Sequence, residues 1–107
     1  MTKPTKKKLS PEDEQFYEDR TKWIDLMFDA DFGHAEFKVL FFIARRSSHE
    51  KRGSYWSVSR MAEECRCSTK TVSDATMKAG RLGYLKIHRT VGQKNFYQPL
   101  FFWLGDT

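Results

Sequence analysis

Apolar residues recur along this chain at two spacings, and the change from one to the other divides it. Phe16, Tyr17, Trp23, Ile24, Met27 and Phe28 fall near the helical period, which predicts a helix over about 11–29 with a break near Arg20 to Lys22. Ser10-Pro11-Glu12-Asp13 supplies its start: a capping hydroxyl, a proline at the first position, and acids facing the positive end of the helix dipole. The acids Glu12, Asp13, Glu14, Glu18 and Asp19 either pair with a neighbouring basic surface or form a solvated face. A second run, Val39, Leu40, Phe41, Ile43 and Ala44, continues to about Ser47 and is read as the spine of the core. Gly33 stands at its cap, Glu36 at the third position, and Phe32 is placed to staple onto Phe37. Residues 47–54, SSHEKRGS, form a polar loop with a turn at Gly53.

Two shorter helices follow. Val58, Met61, Ala62 and Cys65 keep an i, i+3, i+4, i+7 spacing behind Ser57; Val72, Ala75, Thr76, Ala79 and Leu82 form an inner face behind Ser68, and Gly83 ends the helix. Only Arg66 and Cys67 separate the two, so the helices cross steeply, and the small side chain of Ala62 allows the approach. The period then drops to two. Residues 84–90 alternate as a strand, 95–98 form its return partner, and Val91-Gly92-Gln93-Lys94 closes the hairpin. Tyr55-Trp56 reads as a small strand pairing with this hairpin, and Pro99 is expected to end the ladder. Leu100-Phe101-Phe102-Trp103-Leu104 is too apolar to stand in water. Either it folds back on the first helix, or Phe101, Phe102 and Trp103 dock a second copy of the chain.

Charge adds a direction. The chain carries a net +5 over 107 residues, and from Arg60 to Lys94 eight Lys or Arg stand against three acids, so the whole excess lies in this one stretch. Such a balance favours a polyanionic partner. The outward face of the helix after Ser68 is Thr69, Lys70, Ser73, Asp74, Met77, Lys78 and Arg81. Short hydroxyls and open backbone N–H groups at a helix start suit phosphates and base edges. The length fits one domain over 10–104, preceded by a disordered basic tail at 1–9 and followed by a tail at 105–107. That first tail is either an arm for phosphates or a solvated terminus.

These residues carry a resemblance. Met61-Ala62, Cys67-Ser68, Thr71-Val72 and Leu82-Gly83-Tyr84-Leu85 resemble the winged helix-turn-helix of bacterial regulators, replication initiators and mobile-element proteins, from about Trp23 to Tyr97. The chain departs from the pattern at Thr76 and Ala79, where larger apolar residues are usual, at Gly80 within the helix, at Gly33 where Ser or Thr is common, and at Trp56 where Pro is usual. The resemblance implies an α+β, mostly α fold: a winged helix-turn-helix with an added N-terminal helix and a small β-wing. It implies double-stranded DNA as partner, with Thr69, Lys70, Ser73, Asp74 and Met77 near bases, and Arg66, Thr71, Lys78, Arg81, Arg89, Thr90, Gln93 and Lys94 on the backbone. Asp74 would accept from a cytosine amino group or orient a neighbouring Lys, and Met77 would meet a thymine methyl.

The roles that follow are a small transcriptional regulator or an excisionase-like architectural protein of a mobile element. The alternatives are a plasmid or phage replication accessory factor and a winged-helix adaptor that binds protein instead. A module this small is expected to act as a homodimer or cooperative homo-oligomer on DNA, beside a recombinase or another DNA-bound protein. No nucleophile elbow, phosphate-cradling loop or ordered acid-base pair is present, so an enzyme is not expected, nor a cofactor. Cys65 and Cys67 lack companion ligands, since His34, His49 and His88 keep no metal spacing, and a disulfide across so short a link would be strained. With no apolar run of membrane length and no signal-peptide pattern, the expected setting is the cytoplasm, at the nucleoid.

Overall fold

In a computed structural model describing residues 9–90, 92 and 94–104, four helices and a three-stranded sheet are built around the second helix. The helices are α1 (Pro11–Asp29), α2 (His34–Arg45), α3 (Val58–Cys65) and α4 (Thr69–Arg81); the strands are β1 (Ser54–Trp56), β2 (Leu85–His88) and β3 (Asn95–Pro99); a short 3-10 turn, Phe102–Leu104, ends the described chain. Val39, Leu40, Ile43 and Ala44 of α2 are fully buried, and this helix touches α1, α3, α4 and β3. This is the winged helix-turn-helix, α+β and mostly helical, with an additional N-terminal helix.

The local signals set the boundaries. Ser10 Oγ accepts from Asp13 N–H at 3.1 Å, and Asp13 in turn accepts from Ser10 N–H, so two donors at the start of α1 are satisfied. Glu36 Oε1 accepts from Gly33 N–H at 3.0 Å, which caps α2 without a hydroxyl. At the far end of α4, Gly83 takes a positive φ of 84°, Tyr84 N–H reaches Ala79 O and Gly83 N–H reaches Gly80 O. That six-to-one and five-to-two pair closes the helix and turns the chain into β2.

Several expectations give way to contacts between distant segments. α1 is continuous through Arg20, whose guanidinium donates to the carbonyls of Arg45 and Ser47 and so stabilises the C-terminal end of α2. Partial burial, and then Arg45 nearby, push the pKa of Arg20 down. The acidic face is not wholly solvated. Asp19 is buried, accepting from Trp103 Nε1 at 3.3 Å and Gln15 Nε2 at 3.2 Å. Asp13 pairs with His49 Nδ1 at 2.7 Å, and the hydrogen bonds from His49 and Ser10 hold its carboxyl below the ordinary carboxylate range. Phe32 does not staple onto Phe37. Its ring meets Tyr84, while Phe37 lies between Phe28 and Phe41. Leu82 is half exposed rather than on the inner face of α4, because the helix stops one residue earlier and the chain is already turning.

The sheet order is β1-β3-β2, with both pairings antiparallel. Pro99 is the last residue of β3 and pairs with Leu85, so the ladder ends there, and Leu100 N–H then donates to Tyr84 O at 2.9 Å to hold the segment that follows. The segment after it folds back on α1. Phe101 packs on Phe16, Trp103 bonds Asp19, and Phe102 lies over Tyr84.

Gly80 lies within α4, and a Cβ there would approach nothing nearer than Leu85 O at 3.7 Å, an ordinary contact. Gly80→Ala is therefore expected to raise stability by about 0.5–1 kcal/mol, the usual helix-interior difference. A denaturant midpoint equal to or below the parent's would contradict this.

Candidate nucleic-acid interface

α3 and α4 meet through small and apolar residues. Met61, Ala62 and Cys65 face Val72, Ala75, Thr76 and Ala79, all buried. Thr76 is tolerable there because its hydroxyl donates to Val72 O at 2.9 Å. Burial, and then Cys67 beside it, push the Cys65 thiol pKa up, so it is held as a neutral packing group. The turn between the helices is tight. Cys67 N–H bonds Ala62 O, Arg66 N–H bonds Glu63 O, and Arg66 takes φ 59°, ψ 48°, the left-handed conformation that glycine adopts without strain. Its side chain is exposed.

Ser68 Oγ accepts from Thr71 N–H at 3.0 Å and lies 3.0 Å from the Thr71 hydroxyl, so Thr71 completes the cap of α4. Beyond the cap, Thr69, Lys70, Asp74, Met77 and Arg81 are exposed and Ser73 is half-buried, all along one side of the helix. Lys70 Nζ donates to Asp74 Oδ2 at 2.9 Å, and that bond raises the Lys70 pKa. Of the two uses read for Asp74, this geometry is that of orienting the lysine. Lys78 is set apart. Its ammonium donates to the Asp31 carbonyl and lies 4.9 Å from the centre of the Phe32 ring, so it fastens α4 to the α1–α2 connection instead of facing outward with the others.

The wing carries a second exposed group. Arg89, Thr90 and Lys94 are exposed, and the Thr90 hydroxyl donates to the Lys94 carbonyl, tying the two arms of the hairpin. Gln93 lies outside the described residues, as do Val91, the basic tail over 1–8 and residues 105–107. The acids of this half are spent within their own helices: Arg60 reaches Glu63 and Glu64, and Lys70 reaches Asp74. From residue 75 to 105 the sequence has no acid. Arg66, Arg81, Lys86, Arg89 and Lys94 thus stand without an ionic partner among the described residues.

A family model described as a helix-turn-helix domain matches residues 32–85. That is half of the chain, from the α1–α2 connection to the first residue of β2. The chain belongs to this helix-turn-helix family. Its helix-turn-helix is a DNA-binding domain, and duplex DNA is the partner such a domain takes. No match appears among curated proteins or among solved structures.

Beyond the matched helix-turn-helix region, the aromatic C-terminal candidates are mostly engaged. Phe101 and Trp103 are half-buried against α1, and only Phe102 keeps about half its surface free. Lys86, Tyr55 and His88, which are not among the sequence-predicted site residues, lie exposed on the sheet. The alternation Leu85-Lys86-Ile87-His88 carried the signal for two of them, because it sends every second side chain to the outer face. Among the described residues, no helix is long and apolar enough to cross a membrane.

Proposed function

We propose that this protein reads duplex DNA and acts either as a small transcriptional regulator or as an excisionase-like architectural protein of a mobile element. The observation that carries the reading is the exposed side of α4, open along its length beside an acid-free wing. In this reading Thr69, Lys70, Ser73, Asp74 and Met77 lie over base edges in the major groove. Arg66, Thr71, Arg81, Arg89, Thr90 and Lys94 meet phosphates on either side. Lys78 is left out of the set, since its ammonium is committed to Asp31. A chain bound this way influences DNA by position, by bending, or by the protein it holds nearby, a recombinase in the excisionase case.

Single modules of this kind bury roughly 600–1,000 Å² of protein surface, too little for sharp selection of one site, which favours a second copy on the DNA. The stripe of exposed Phe28, half-buried Phe37 and exposed Phe41 supports a contact between copies. Phe28 is 73% exposed and Phe41 40% exposed, with rings 5.7 Å and 6.0 Å from Phe37 between them. Exposed Asp25 and Asp29 lie along the α1 side of the stripe, and exposed Lys38 and Arg45 lie on α2. A two-fold axis through such a stripe sets the acids of one copy against the cations of the other. Phe28→Ser is expected to shift sedimentation toward the monomer and remove cooperativity on DNA; identical sedimentation of variant and parent at every concentration would overturn this contact.

Footprinting on genomic fragments tests the role. One short palindrome would support a dimeric regulator, and a run of direct repeats an excisionase-like protein coating its site. Protection absent at physiological salt from every fragment would refute both.

A further inference from the structure

The outer face of the sheet carries a row of rings that the duplex-reading roles leave unused. Tyr55 pairs with Phe96, and Phe96 pairs with His88, so these side chains cross β1, β3 and β2 in one line. Their neighbours in the alternation, Ser54, Tyr97, Leu85 and Pro99, are buried on the opposite face. Ring centroids are 4.7 Å apart from Tyr55 to Phe96 and 5.5 Å from Phe96 to His88, tilted at 52° and 53°, so neither pair is a closed stack. Tyr55 is 53% exposed and His88 is exposed. Cross-strand packing accounts for the rings meeting one another. It does not account for how much of them remains in water.

What surrounds the row is equally specific. Lys86 and Gln98 pair in the adjacent position on the same face, and Gln98 Oε1 lies 3.2 Å from His88 Nε2. At the β1 end the row opens into a hollow of about 420 Å³ lined by Tyr55, Trp56, Ser57, Arg60 and Lys94. Trp56 lines it while its ring packs against Phe42, with centroids 4.7 Å apart. No acid occurs in any of the three strands.

Open ring faces beside cations, on strands that carry no carboxylate, fit a polyanion that itself carries flat apolar faces. A duplex keeps its base faces inside its own stack, whereas an unpaired strand offers bases and phosphates together. We infer that the outer face of the sheet and the hollow beside it bind unpaired nucleotides, of DNA or RNA. Bases stack on Tyr55 and His88, Lys86 and Lys94 meet the phosphates, and the hollow admits a base or sugar. This surface shares Lys94 with the duplex reading, but its rings lie apart from the exposed side of α4, and base stacking on them does not depend on that reading.

The test is fluorescence anisotropy with four labelled probes: thymidine and uridine oligomers of about 12 nucleotides, an abasic oligomer of the same length and charge, and a mixed-sequence duplex. The parent protein is expected to bind at least one base-bearing strand about tenfold more tightly than the abasic one. Preference between thymidine and uridine assigns the source as DNA or RNA. Tyr55→Val, which keeps a strand-favouring residue, is expected to weaken single-strand binding about tenfold and leave duplex affinity within about twofold. Equal affinity for base-bearing and abasic strands would overturn the proposal, and needs no variant. So would a Tyr55→Val effect of the same size on single strand and duplex, or no single-strand binding at all.

Discussion

Replacing Trp23 by alanine is expected to cost about 3–5 kcal/mol, the range for deleting a large core side chain. Trp23 is fully buried, and its indole N–H donates to the Tyr84 carbonyl at 2.9 Å. The same carbonyl accepts from Leu100 N–H, so one peptide group joins α1, the corner after α4 and the start of the C-terminal segment. Alanine would remove the ring and leave that carbonyl with a single partner. Small domains are stable by only about 5–15 kcal/mol, so the loss is a large share of the total. It falls on the element that lies outside the matched helix-turn-helix region. Trp23→Phe should recover most of the packing and lose about 1 kcal/mol with the hydrogen bond. A urea midpoint for Trp23→Ala within error of the parent's would mean that α1 is an appendage and not part of the core.

Gly53→Ala is expected to destabilise the protein by about 1–3 kcal/mol, the usual cost of overpacking. A Cβ there would lie 2.5 Å from Tyr97 O and 2.6 Å from the Phe96 ring, so β1 or β3 must move. The sequence reading took this glycine as a turn residue, but its need is close approach. The same substitution at Gly80 has the opposite expected sign, because a Cβ there meets its nearest neighbour, Leu85 O, at an ordinary contact distance of 3.7 Å. Hydrogen exchange should show the strain confined to the β1–β3 pairing, with amides from Ser54 to Trp56 losing protection first. Unchanged protection and an unchanged midpoint would contradict the crowding.

The features legible in the sequence were those fixed by neighbours in the chain. The caps at Ser10, Ser57 and Ser68, the turn at Gly83 and the inner positions Met61, Val72 and Ala75 follow from spacing over one or two helical turns. What escaped depends on partners far along the chain. Asp19 is an internal acceptor because Trp103 arrives 84 residues later, and Lys78 is occupied because Asp31 lies 47 residues earlier. Neither pairing leaves a mark in local periodicity. Arg66 is a third kind of case. Its position in a two-residue turn was plain, but its left-handed backbone follows from the way α3 is closed. The outer row of the sheet was hidden for yet another reason, since the register of three short strands, and not any single strand, aligns Tyr55 with Phe96 and His88.

The central claim is that α4 and the wing present one cationic surface to duplex DNA. Its most direct test is the salt dependence of duplex affinity for the parent and for a variant with Arg66, Arg81, Arg89 and Lys94 all changed to glutamine. Each phosphate contact contributes about 0.9 to the slope of log affinity against log salt, so the variant should bind more weakly at low salt, with a slope shallower by about 3 to 4. Two superimposable lines would show that the duplex is held elsewhere.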